Sequence, residues 1–158
     1  MEKFNISEIF QIAIRIEEEG KKFYTELSKN TKKENLKEFF EFMAQEEQKH
    51  KEFFEELAKS VADYSSVDNY PEEYFTYIRS YADNIIFSRD KKRTITYDIN
   101  NIFSALDLAI QSEQEAIWYY SEIKPLIPED KRCFIDDIIS EERKHFKELS
   151  EIRHDMMV

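Results

Sequence analysis

Two segments, EEQKH at residues 46–50 and EERKH at 141–145, each place a glutamate three residues before a histidine. Residues three apart share one face of a helix, so each pair directs a carboxylate and an imidazole towards the same point. The apolar register puts that point inside the protein. Phe40, Met43, Glu47, His50, Phe54 and Leu57 form one stripe; Ile135, Ile138, Glu142, His145, Leu149 and Ile152 form another. Two further acids behave alike: Glu17 falls among Ala13, Gly20 and Tyr24, and Glu113 among Ala109, Ala116 and Tyr120. One inward Glu or His is ordinarily a satisfied core residue, but six in matched positions are a different matter. A buried unpaired carboxylate costs several kcal/mol or takes a proton. Four together would also repel, against a total stability of roughly 5–15 kcal/mol. Two divalent cations resolve the conflict, because their charge offsets four carboxylates while neutral imidazoles complete the coordination. On this reading Glu47 and His50 serve one metal, Glu142 and His145 the other, and Glu17 and Glu113 bind from the remaining helices. Bridging carboxylates hold such ions about 3.5–4 Å apart. Gly20 and Ala116 leave room beside the metals, and Tyr24 and Tyr120 sit where a phenol can hydrogen-bond a ligating carboxylate.

The elements that must position these residues follow from the same periodicity. A first helix is expected from Asn5 or Ser7 to about Lys29, with Ile9, Ala13, Ile16, Gly20, Phe23 and Leu27 inward. TKKE, Thr31 to Glu34, reads as a capping box opening a second helix. The short gap makes these two an antiparallel hairpin. A polar stretch follows, then a shorter aromatic-rich helix from about Pro71, ending in a basic cluster, Arg89 to Arg93, read as loop charge. A third long helix is expected from about Asp98 to Lys124, stopped by Pro125, and a fourth from Pro128 nearly to the end. The chain therefore reads as all-α and one domain over 1–158: a first hairpin at about 5–61, a long, partly helical crossover at about 62–97, and a second hairpin at about 98–156.

The hairpins repeat each other. AIRIEEEGKKFYTEL at 13–27 aligns without a gap on AIQSEQEAIWYYSEI at 109–123, an offset of 96, and EEQKH aligns on EERKH at an offset of 95. Each hairpin thus carries a Glu on its first helix, a Tyr seven residues later, and Glu-x-x-His on its second, as a duplication would leave them.

Composition limits what else the chain does. A net charge of −11 argues against non-specific binding to nucleic acid and against adhesion to anionic membranes. No apolar run approaches the roughly 20 residues of a membrane span, and the first residues lack the regions of a signal peptide. With Cys133 alone there is neither a disulfide framework nor a CxxC pair, and a cytoplasmic location is expected. Several residues carry ordinary readings. Glu18, Glu19, Glu46 and Glu141 neighbour the inward acids and are expected in solvent. Trp118 and the aromatic residues of 70–87 read as packing, Cys133 as a buried or boundary thiol, and His154 as solvated.

AIRIEEEGKKFY with EEQKH, and SEQEAIWYY with EERKH, resemble the rubrerythrin-related branch of the ferritin-like superfamily over roughly residues 5–60 and 98–155. The resemblance implies a ferritin-like four-helix bundle with a non-haem di-iron centre bound by Glu17, Glu47, His50, Glu113, Glu142 and His145. It also implies an oxidoreductase that reduces hydrogen peroxide with electrons from a small carrier. Manganese in place of the two iron ions is the alternative metal. The chain departs from the family pattern twice. Rubrerythrin carries a rubredoxin domain with two Cys pairs, which one cysteine cannot supply, so electrons would come from a separate, rubredoxin-like protein. Rubrerythrin also has a second Glu three residues after the ligand on the third helix; here that position is Ala116, and Glu115 falls one residue short.

Two other functions compete. Bacterioferritins share four Glu and two His, so a ferroxidase or iron store with dioxygen as oxidant is one alternative. That reading is weakened because ferritin cages generally add a fifth helix. The other is a non-enzymatic helical protein with a structural metal or none. A homodimer is expected, with the aromatic crossover as its meeting surface.

Overall fold

The computed structural model describes residues 5–64, 70–95 and 102–157, with side chains described throughout except at 86–95. Among the described residues five α-helices run in order: α1 Ile6–Asn30, α2 Glu34–Ser60, α3 Glu72–Ile95, α4 Ile102–Ile123 and α5 Arg132–Asp155. The fold is the all-α bundle expected: α1 packs along α2 and α4 along α5, and α3 crosses between the hairpins against α4 and α1.

Local chemistry sets the helix ends. Asn5 caps α1, its extended backbone letting the side-chain oxygen accept from the Glu8 N–H at 2.9 Å. The capping box expected at Thr31 does not form. Thr31 follows the end of α1, where its hydroxyl donates to the Leu27 carbonyl at 2.6 Å, and α2 starts from Lys33 without a side-chain cap. The hydroxyl satisfies one of the carbonyls that a helix C-terminus leaves open, and so is not available to α2. Pro125 ends α4 through a 3-10 turn at Lys124–Leu126, and a second such turn, Glu129–Lys131, leads into α5. The fourth long helix thus begins at Arg132 rather than Pro128.

The crossover helix differs from the expectation of a short one. With 24 residues, α3 is as long as α5, because no Gly or Pro follows Pro71 before its end to interrupt it. Its backbone runs through Arg89–Arg93, so that cluster is helical rather than loop; its side chains lie outside those described. The expected start of α4 near Asp98 also lies outside the described residues. Ile78, Ala82 and Ile85 bury the inner face of α3. Its rim is held by the Tyr74 hydroxyl donating to the Glu122 carbonyl at 2.5 Å and by Arg79 paired with Glu8 at 2.8 Å.

The core is divided by height. One apolar cluster gathers Ile9, Phe10, Ile16, Phe54, Leu57, Tyr119 and Ile139 with α3. The other gathers Phe23, Leu27, Phe40, Met43, Leu106 and Leu149. Between them every long helix of the two hairpins turns acid inward: Glu17, Glu47, Glu113 and Glu142 are all buried, with His50 and His145 beside them.

Several side chains lie elsewhere than the sequence suggested. Glu19 and Glu46, expected in solvent, have side chains only 11% and 16% exposed. Trp118 is 57% exposed, on the face of α4 opposite its buried neighbours Ala116, Tyr119 and Tyr120, and touches Tyr81 edge-on at 5.3 Å. Cys133 is exposed, since it stands in the first turn of α5, ahead of Ile135 where the buried stripe begins. His154 is exposed, as expected. Among the described residues no helix is long and apolar enough to cross a membrane.

Candidate metal centre

The polar layer brings the six sequence-derived residues together in two overlapping groups. Glu17, Glu47, His50 and Glu142 offer donor atoms within 4.8 Å of one another, and so do Glu47, Glu113, Glu142 and His145. The arrangement refines the expected assignment. Each Glu-x-x-His pair does serve one group, but Glu47 and Glu142 each belong to both, while Glu17 goes with His50 and Glu113 with His145. The two shared acids are the residues that could serve both groups at once.

Both imidazoles aim Nδ1 inward. His50 Nδ1 lies 3.0 Å from Glu142 Oε1 and 3.6 Å from Glu17 Oε2. His145 Nδ1 lies 3.1 Å from Glu142 Oε2 and 3.7 Å from Glu113 Oε2. The two rings stack at 5.9 Å between centroids.

Gly20 makes the layer possible on the α1 side. A Cβ there would stand 2.3 Å from Glu47 Oε2 and 2.9 Å from its Cδ, so the shared carboxylate occupies the space that a side chain would take.

Tyr24 and Tyr120 complete the layer by crossing it. The Tyr24 hydroxyl, on α1, donates to Glu113 on α4, and the Tyr120 hydroxyl, on α4, donates to Glu17 on α1. Burial pushes both phenols well above their ordinary range, reinforced for Tyr24 by Glu113 and for Tyr120 by Glu17, so both remain proton donors. Each carboxylate keeps its second oxygen towards the centre.

The electrostatics are those of a site that wants cations. Burial pushes Glu47 well above the usual carboxylate range, with Glu17 and Glu142 adding repulsion. Burial, with Glu142 nearby, raises Glu113 to about 8. Burial alone would lower both histidines, but their carboxylate partners outweigh it: Glu142 and Glu17 push His50 up to about 12, and Glu113 and Glu142 push His145 up to about 10. Glu142 goes the other way; its burial is overcome by His145 and His50, which hold it below the ordinary range. Protons here do the work that metal charge would do.

Even so the side chains do not satisfy themselves. Glu17 Oε2, His50 Nδ1 and Glu142 Oε1 are buried without a well-aligned hydrogen bond, although His50 Nδ1 and Glu142 Oε1 stand only 3.0 Å apart. Unpaired buried polar atoms are costly and need an explanation. Three converging on one point, two anionic oxygens and an imidazole nitrogen, form a donor set that suits a divalent transition ion.

Sequence reasoning missed one residue. Glu141, expected in solvent, is 44% exposed but turns its carboxylate to His50, with Oε2 2.7 Å from Nε2. The signal lay in the chemistry of a ligating imidazole, whose second nitrogen calls for a carboxylate or carbonyl partner. Glu18 pairs with Lys51 at 3.6 Å and Glu46 with Lys49 at 2.6 Å.

The family model described as Rubrerythrin matches residues 8–153. Among solved structures, a ferritin-like diiron-carboxylate protein from Thermotoga maritima is similar over 99% of each chain, with a TM-score of 0.69 and 24% sequence identity. That likeness establishes a shared fold. No curated protein matches the chain significantly.

Proposed function

The chain belongs to the rubrerythrin family, and on that premise we propose that it is a non-haem di-iron oxidoreductase that reduces hydrogen peroxide with electrons from a separate carrier. The observation that carries the reading is the convergence of three buried donor atoms, none in an aligned hydrogen bond, within two overlapping carboxylate–histidine groups. Glu17 and His50 would hold one ion, Glu113 and His145 the other, with Glu47 and Glu142 between them. Two ferrous ions held there would supply one electron each, the pair that with two protons would convert hydrogen peroxide into two waters.

The chain's own residues provide the setting. Tyr120 and Tyr24 fix one oxygen of Glu17 and of Glu113, leaving the other oriented inward. Their raised phenols keep these protons at neutral pH. The apolar clusters above and below the layer exclude bulk water, which strengthens every charge interaction within it. A rubredoxin-like protein is the class of donor proposed, the location is the cytoplasm, and the assembly is a homodimer.

The test is anaerobic. Protein loaded with ferrous iron is mixed with hydrogen peroxide in stopped flow. Rapid oxidation consuming two electrons per peroxide supports the reading. Oxidation no faster than that of free ferrous iron rejects it, and faster oxidation by dioxygen than by peroxide transfers the chain to the ferroxidase class.

A further inference from the structure

The duplicated sequence offers both halves the same parts, yet the halves of the site are not equivalent. Glu46 and Glu141 occupy matching positions, each one residue before an inward Glu and three before a Lys. Glu141 crosses to the outer nitrogen of His50 at 2.7 Å. Glu46 instead binds Lys49 on its own helix at 2.6 Å. Among the described residues no carboxylate closes on Nε2 of His145. Phe42, 45% exposed, stands edge-on to that ring at 6.4 Å and 89°. The repeat places Asp137 at the matching point beside the other half.

The inner atoms do not order the two positions. His50 Nδ1 stands 3.0 Å from Glu142 Oε1 and His145 Nδ1 stands 3.1 Å from Glu142 Oε2. An ion entering either position displaces such a pair, so the difference between the halves lies at the outer nitrogens. The tyrosines do not distinguish the halves, because each half has one.

Resting on the two-metal reading above, we propose that the positions load in order: the His50 position binds its ion first and more tightly, and Glu141 is the positioning residue that makes it so. A carboxylate on the outer nitrogen fixes the ring and raises its basicity, and loss of such a partner typically costs about 10–100-fold in metal affinity. The His145 position is then the weaker, exchangeable one.

The probe is cobalt(II) alone, added without oxygen to full-length protein, with calorimetry for affinity and paramagnetic NMR shifts of the two histidine rings for location. Two steps are expected, separated by about 10–100-fold, with the His50 ring shifted during the first equivalent and the His145 ring during the second. Glu141→Ala should weaken the first step by that factor, leave the second step within about twofold of the parent, and lower the melting temperature without metal only by what the lost bond to His50 contributes. Glu46→Ala should leave both steps within about twofold of the parent. Equal steps, His145 shifting first, or equal effects of the two substitutions overturn the order while leaving the two-metal reading intact. Binding of less than one ion overturns both.

Discussion

Replacing Gly20 by alanine tests the geometry of the layer with one carbon atom. The added Cβ would lie 2.3 Å from Glu47 Oε2, where ordinary contact begins near 3.4 Å. The carboxylate must therefore retreat by about 1.1 Å, whereas metal–ligand distances tolerate only about 0.2 Å. Glu47 belongs to both groups, so both positions should weaken, by about 100-fold or more if the ligand is lost as fully as the displacement implies. The fold should not suffer. What collides is the end of a flexible side chain, and alanine in a helix interior is favoured over glycine by about 0.5–1 kcal/mol. For a chain of this length that corresponds to a rise of about 2–4 °C per kcal/mol in melting temperature. The experiment pairs anaerobic calorimetry with ferrous iron and thermal melts in chelator. Stability without metal held or raised, with affinity lost at both positions, is the expected pair of results. Two ions bound with parental affinity would refute the placement of Glu47 against α1, and a collapsed melting temperature would show that the Cβ meets something less yielding than a carboxylate.

Three other outcomes follow from the same layer. Raised pKa values mean that the folded protein without metal holds protons its unfolded chain would release. The stabilising contribution of Glu113 is full below its ordinary value and lost as pH rises through about 8; those of His50 and His145 are full below 6.5 and lost towards about 12 and 10. Metal needs these groups deprotonated, so melts at pH 6 and pH 8.5 should show the gap between metal-loaded and chelated protein widening with pH, and calorimetry in buffers of different ionisation enthalpy should show proton release on binding. Tyr120→Phe leaves a buried Glu17 oxygen without its donor and should weaken metal binding about 10–100-fold, chiefly at the His50 position, whereas Tyr24→Phe should act chiefly at the His145 position; the histidine-resolved NMR titration distinguishes them. Phe54, fully buried against Tyr120 at 4.9 Å and Phe10 at 6.4 Å, should cost about 3–5 kcal/mol when cut to alanine, read as a lower midpoint in urea.

Periodicity and composition alone set the helices and the inward acids. A period of 3.6 residues fixes which side chains share a face, and one Gly with three Pro leaves few places to break a helix. That is why Glu17, Glu47, His50, Glu113, Glu142 and His145 could be named from spacing, and why the repeat made them a set. Periodicity says nothing, however, about choices between partners that one helix offers equally. Thr31 could cap α2 or close α1, and it closes α1. Trp118 and Cys133 are apolar by type, yet the angle of α4 and the late start of the buried stripe on α5 leave both exposed. Only tertiary structure decided that Glu47 and Glu142 are shared, because sharing depends on where four helices converge. It also decided that Glu141 reaches across to His50 while Glu46 stays with Lys49. Both acids have a lysine three residues on, so the local options are identical, and the difference lies in what the packing brings near each ring: Glu141 meets His50, while Phe42 stands edge-on to His145.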